Sequence, residues 1–453
     1  MTLSSHIRAT LKLGLPLIGG QLAQVFIGVT DTVMIGWYGV EELAAVALGS
    51  SYFHLILILG MGFGLAVMPM VASAAARDDD QQVRRVTRMG LWISLGFAAL
   101  VMPLFWYSEA LLLWSGQTAQ VSADAQTYLR IAGWAIWPGC LLVVLRSHLS
   151  ALERPNIVLW AWVGGVFLNA GINWVLIFGN LGAPEMGIAG AATASVFTNL
   201  LILLILALYA SRAEGLRHYA LFTRFWRPDW EALLQVFRLG WPIAITLLSE
   251  AGLFMATMIM MGWIGTMELA AHGIALQIIS VTFMIHIGLS SAATVRIGRT
   301  RSRNDAPALR LAAWAALILS GVTVAVTIVA LMSFAEPLVG LFVDPSDALR
   351  PQIIAIGASL LIVACIFQLA DAAQVMALGL LRGVQDTNVP MVYAFISYWI
   401  IGVPLAYALG FPLGWEGEGI WVGLAIGLAV AGFVLVIRFW RIAARLGSEP
   451  SSA

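Results

Sequence analysis

The sequence predicts an all-α, polytopic membrane protein of twelve transmembrane helices in two six-helix lobes, related by a pseudo-twofold axis along the membrane normal. Three observations predict it: an apolar composition, a one-sided distribution of arginines, and an internal repeat. Of 453 residues, 60% are hydrophobic and 11% charged, with a mean hydropathy of +0.91; an ordinary soluble domain carries about 25% charged residues. Apolar runs of about 20 residues or more, separated by short polar or Gly/Pro turns, suit helices crossing a hydrocarbon layer about 30 Å thick. The alternating ten-residue strands of a membrane barrel do not occur.

The first span, 10–38, follows Arg8 and Lys12 as a signal peptide would. Its apolar run continues past Val33, lacks a small-residue cleavage site and is followed by another span, so it reads as a retained helix. Spans two to six fall at 44–76, 88–107, 125–150, 156–180 and 187–211. The remaining six fall at 233–263, 270–298, 306–332, 351–380, 388–410 and 417–441. Basic residues near span ends collect on the cytoplasmic side, and this segmentation puts all but Arg130 and Arg350 of the 24 Lys and Arg residues on one face. Moving one span scrambles the sorting, so both termini are expected in the cytoplasm. The lobes are then 1–211 and 233–441, with a basic cytoplasmic linker at 212–232 and a cytoplasmic tail at 442–453.

A shift of 226 residues lays "MIGWYGVEELAA" (Met34 to Ala45) on "MMGWIGTMELAA" (Met260 to Ala271), with eight of twelve positions identical and no gap. The same shift pairs Gly14 and Pro16 with Gly240 and Pro242, and Arg77 and Asp79 with Arg303 and Asp305. A weaker match at a shift of 232 pairs Asn156 with Asn388. An even number of spans per repeat gives the halves the same orientation, with a substrate path expected between or within them.

Three of the 24 acidic residues, Asp31, Glu250 and Asp371, fall inside spans. An ionised acid at a helix centre costs about 2.5–3.5 kcal/mol on insertion scales, so such residues face a cavity or a partner. No intramembrane Lys or Arg is expected to pair with them. Glu250 lies twelve residues after Arg238, and Asp371 eleven before Arg382, so both sit about 16–18 Å from the cytoplasmic anchor at about 1.5 Å per residue. In the repeat, Gln24 stands at the place of Glu250, and Thr257 at that of Asp31. Gln368, Asp371 and Gln374 recur on one helix face, while Gln277 and Ser280 lie on the next helix after Glu250's. Thr30, Asn169, Asn173, Thr193 and Asn199 are placed to converge on Asp31. Such oxygens suit a hard cation such as Na⁺, and a desolvated carboxylate can instead carry a proton. Asn169, Asn173 and Thr193 serve equally well as interhelical hydrogen-bonding groups. His272, His286, Cys140 and Cys365 read as packing residues. Met255 and Met258, just beyond Glu250, and Gln24, Gln277, Gln368 and Gln374 are candidates to line a cavity.

The sequence has no phosphate-cradling loop with a lysine, no metal-spaced His/Cys cluster and no HExxH motif. This excludes the common enzyme classes and an ATP site, and leaves no cofactor beyond a coupling ion. Formal net charge is zero, and no nucleic-acid partner is expected.

The segments "GLPLIGGQLAQVFIGVTDTVMIGWYG", "GWPIAITLLSEAGLFMATMIMMGWIG" and "FQLADAAQVMALGLLRGVQDTNVP" resemble the multidrug and toxic compound extrusion (MATE) family, in its NorM-like branch, over nearly the whole chain. That resemblance implies a twelve-helix multidrug efflux antiporter of the cell inner membrane, exporting lipophilic organic cations in exchange for Na⁺ or H⁺ by alternating access. It implies a cation site at the positions matching Glu250 and Asp371, with Na⁺ as a possible occupant. It also implies a second site around Asp31, Asn169, Asn173 and Thr193. Asn173 stands where relatives often carry an acid, and Phe367 where some carry an aromatic hydroxyl, so the pair in the second half ranks first. One subunit suffices. The competing reading, a lipid-linked saccharide flippase of the same wider superfamily, predicts arginines in the membrane interior for pyrophosphate, and the sequence offers essentially none there.

Overall fold

The computed structural model describes residues 2–345 and 349–446, with side chains throughout except at 40–45. Its helices are α1 (Leu3–Tyr38), α2 (Val40–Ala75), α3 (Asp80–Trp106), α4 (Ser108–Trp114), α5 (Ala119–Ala132), α6 (Ile136–Ala151), α7 (Pro155–Phe178) and α8 (Gly187–Arg212). After these come α9 (Trp230–Ile264), α10 (Thr266–Ser302), α11 (Ala306–Gly340), α12 (Arg350–Gly383), α13 (Asn388–Phe395), α14 (Val403–Gly410) and α15 (Glu416–Arg445). No strand occurs among the described residues. Among the described residues, twelve stretches are long and apolar enough to cross a membrane, at the expected places, and the chain is a multi-pass membrane protein.

Three details differ from the hydropathy reading. The fourth span is built of α5 and α6 joined through a 3₁₀ turn at Gly133–Ala135, and the loop before it contains α4. The eleventh is interrupted by a π-helical segment, Ile396–Gly402, between α13 and α14. In the expected tail, α15 continues to Arg445, and residues 447–453 lie outside the described residues. Hydropathy averages over such local changes in winding because they leave composition untouched.

The chain divides into two compact units, one of Gly19–Ala244 and one of Met1–Ile18 with Ile245–Ala453. In the first, Phe105, Leu129 and Ile136 are fully enclosed, and in the second Phe367, Trp421 and Phe439. Close backbone approach holds helix pairs together in each. A Cβ on Gly190 of α8 would lie 2.7 Å from the Leu176 carbonyl of α7, and one on Gly423 of α15 would lie 2.2 Å from the Ala406 nitrogen of α14. Apolar surface is no driving force between helices in lipid, so packing of small residues takes its place. The linker belongs to the first unit. Arg85 of α3 bonds Asp229 and Glu231, Arg88 donates to the Leu221 carbonyl at 3.0 Å, and the Trp92 indole donates to the Phe225 carbonyl at 2.9 Å.

The repeat is legible in backbone geometry. Asp79 caps α3 through the Gln82 amide and Asp305 caps α11 through the Ala308 amide, both at 2.9 Å. Their dihedrals nearly coincide: φ −92°, ψ 77° and φ −92°, ψ 82°. The preceding Asp78 and Asn304 are both left-handed, with φ of 55° and 53°, a conformation short polar residues tolerate. At the shift of 232, Glu153 and Gln385 share a φ of 59°.

Candidate functional site

In the C-terminal unit, α9 brings Glu250, α12 brings Gln368, Asp371 and Gln374, and the π segment brings Tyr398. All five are buried, Glu250 at 7% exposure and Asp371 at 1%. Gln374 contacts the Glu250 carboxylate and donates to the Tyr398 hydroxyl at 2.6 Å. Asp371 and Tyr398 lie within electrostatic reach of Glu250. Gln368 donates to the Thr282 hydroxyl of α10. Glu250 Oε1, Asp371 Oδ1, Gln368 Oε1 and Gln374 Oε1 are all buried without a hydrogen-bond partner. Buried acceptors left bare are costly and rare in folded proteins. The four, two from carboxylates and two from amides, form an acceptor-rich set whose chemistry fits a hard cation or proton. Phe367 packs edge-on against Phe254 and Trp421, and the aromatic hydroxyl bonded within the set is that of Tyr398.

Around Asp31 the pattern is different. Asn173 Nδ2 donates to Asp31 Oδ1 and Ser195 Oγ to Oδ2, both at 2.6 Å, and Asn173 also reaches Asn169 Oδ1 at 3.2 Å. Both carboxylate oxygens are thus occupied by the protein. Of the residues expected to converge there, Asn169 and Asn173 do so. Thr193 and Thr30 donate instead to carbonyls of their own helices, those of Ala189 and Phe26, and Asn199 donates to the Ser195 carbonyl. Ser195 was not singled out in the sequence, because a lone serine in an apolar span carries no signal above background.

Two arginines turn inward from helix ends, although among the described residues neither forms an ion pair with the three interior acids. Arg382, in the last turn of α12, lies within electrostatic reach of Glu250. Arg146, taken from the sequence as a cytoplasmic anchor, is 9% exposed and donates through Nη1 to Gln21 and, at 3.2 Å, to Gln24. A long stem lets an arginine near a helix end turn inward as readily as outward, and sequence position does not record which. Among the other candidate lining residues, Met255 and Met258 are exposed at 51% and 40%, and Gln277 is exposed too. His272 accepts from the Trp421 indole at 3.0 Å and His286 pairs with Ser320 at 3.1 Å. The two cysteines are buried and free.

Twelve spans, a duplicated backbone and buried acids define an integral membrane protein with the build of a transporter. The MatE family model matches residues 16–175 and 242–408. The chain is 44% identical to "Probable multidrug resistance protein NorM" of Rhizobium meliloti, over 99% of this chain and 96% of that one. It is 43% identical to the protein of the same description from Agrobacterium fabrum, over 96% and 94%. Its fold matches the crystal structure of a eukaryotic MATE transporter at a TM-score of 0.87 and 19% identity, covering 98% of both chains. It likewise matches an outward-facing multidrug resistance MATE family transporter at 0.87 and 21%, covering 98% of this chain and 97% of that one. The chain belongs to the MATE family of membrane transporters.

Proposed function

We propose that this multidrug efflux transporter is an antiporter, exporting lipophilic organic cations in exchange for Na⁺ or H⁺. The observation that carries the reading is the set of four unpartnered buried oxygens around Glu250 and Asp371. A coupling cation bound there would take its oxygens from Glu250, Asp371 and Gln374, with Gln368 one turn away and the Tyr398 hydroxyl held by Gln374. Binding neutralises the negative charge that would otherwise favour a cationic substrate, so ion and substrate exclude one another, directly or through the conformation each prefers. The energy of the ion gradient thereby drives the substrate out. The arginine sorting supports both termini in the cytoplasm, the family resemblance supports placement in the inner membrane, and a single chain holds the whole of the set. The flippase reading is not favoured by Arg146, since one arginine bonded to glutamines is not a pyrophosphate-binding series.

The experiment is reconstitution into liposomes, with efflux of an ethidium-type cation followed under an imposed Na⁺ gradient and then a pH gradient. Wild type is expected to respond to at least one gradient, while Glu250→Gln and Asp371→Asn fold normally by size-exclusion profile and transport nothing. Near-normal flux in both variants would remove the C-terminal unit from the coupling role.

A further inference from the structure

The repeat maps the acidic cluster of the C-terminal unit onto a place of opposite character in the N-terminal unit. At a shift of 226 Glu250 corresponds to Gln24, and at 232 Asp371 and Gln374 correspond to Gly139 and Leu142. All three equivalents line one cavity, together with Arg146, Trp162 and Asn199 and apolar side chains that include Phe53 and Leu57. The acids are gone, and an arginine has been added.

Several observations give this cavity the chemistry of an anion receptor. Arg146 is buried, and its only bonded partners among the described residues are the neutral amides of Gln21 and Gln24. No carboxylate among the described residues pairs with it. A guanidinium stays charged, and an uncompensated buried charge is strongly unfavourable. Independently, the Trp162 indole Nε1–H is buried and has no partner, although tryptophan's ring nitrogen can only donate. The amide oxygen of Gln24 is committed to Arg146, which leaves its two N–H donors to face the space. No acidic side chain lies on the wall.

We infer that the N-terminal unit holds a site for one small, singly charged anion, bound by the Arg146 guanidinium, the Trp162 indole and the Gln24 amide. Size decides what it takes. The free space is about 40 Å³, room for a few waters and far below the roughly 300 Å³ at which drug-sized pockets begin. The occupant is a halide-sized ion or the carboxylate tip of a larger ligand, whose shared chemistry is a compact single negative charge. Apolar walls exclude strongly hydrated groups. The inference goes beyond the cation-coupled export proposed above and does not depend on it.

The test reads binding rather than transport. Full-length protein in detergent is heated in chloride, acetate or gluconate at fixed Na⁺ and ionic strength, gluconate being too bulky and hydroxylated to enter. The expected result is a saturable rise in Tm with chloride, acetate or both, relative to gluconate. The Trp162→Phe variant, which keeps an aromatic ring but loses the donor, should need about tenfold more anion, the effect of removing one hydrogen bond to a charge. The Arg146→Gln variant should lose the response. A response to chloride alone assigns the site to an inorganic ion, and one that includes acetate assigns it to carboxylates as well. No difference from gluconate, or an unchanged response in Trp162→Phe, overturns the inference even if Arg146→Gln fails to fold.

Discussion

Gln374 donates to the Tyr398 hydroxyl at 2.6 Å, and both residues are fully enclosed. The bond ties α12 to the π segment beside Glu250. Tyr398→Phe leaves the Gln374 amide with an unsatisfied buried donor, a loss of about 1–3 kcal/mol that should appear as a lowered Tm in detergent. Ion-driven flux should fall without vanishing, because the carboxylates remain. Flux equal to wild type would take Tyr398 out of the proposed cation site.

Asp31 accepts from both Asn173 and Ser195. In Asp31→Asn one oxygen becomes an NH₂ facing a donor, and stability should drop by about 1–3 kcal/mol. Ser195→Ala should cost about 1 kcal/mol, whereas Thr193→Ala, which loses only a bond within its own helix, should stay within about 0.5 kcal/mol. Equal losses at Ser195 and Thr193, measured by thermal unfolding, would contradict the network.

The matched caps give matched costs. Asp79→Ala and Asp305→Ala each remove a side-chain bond to a first-turn amide and should each destabilise by about 1 kcal/mol. The check is whether the two losses agree within error. A clear inequality would show that the duplicated turns have ceased to be equivalent in energy as well as in sequence.

Asp229 lies outside the spans, and its hydrogen bond from Arg85 holds its carboxyl below the usual carboxylate range. A depressed folded pKa contributes stability that is present above the unfolded value of about 3.9 and is lost as pH falls through the folded value. It also caps α9 through the Ala232 amide at 3.1 Å. Asp229→Asn, which keeps a capping oxygen but loses the charged partner of Arg85, should therefore be less stable than wild type by up to about 1 kcal/mol at pH 7, and the gap should narrow below about pH 4. A gap independent of pH would show that the charge has no part in the contribution.

The spans, the repeat and the identity of the three interior acids were legible in the sequence, because each is expressed in residue type: apolar runs, basic residues at span ends, carboxylates where lipid forbids them. Features that depend on rotamer or local winding were not. Ser195 and Trp162 look like ordinary members of apolar helices, and only their neighbours across the bundle give them a role. Arg146 was read by position as an anchor, and it turns inward. Tyr398 went unmarked because its place beside Gln374 is set by the π segment, to which hydropathy is blind.

That π segment has a further consequence for the lengths the chain tolerates. A π turn accommodates one more residue than the α-helix it interrupts, so deleting a single residue from 396–402 would restore regular winding and leave the span intact to any hydropathy test. The flanking halves would keep their register, because the wide turn is what absorbs the extra residue, but the residues inside the segment would be re-spaced. A Cβ on Gly427 of α15 would meet the Gly402 Cα at 2.8 Å, so the end of the segment is pinned against α15 and the re-spacing falls on the side of Tyr398. The phenolic group would swing away from Gln374 without any change in composition. The eleventh span therefore works as a ratchet with one correct tooth, and a comparison of related chains that counts only identities would pass over a gap there that disarms the site.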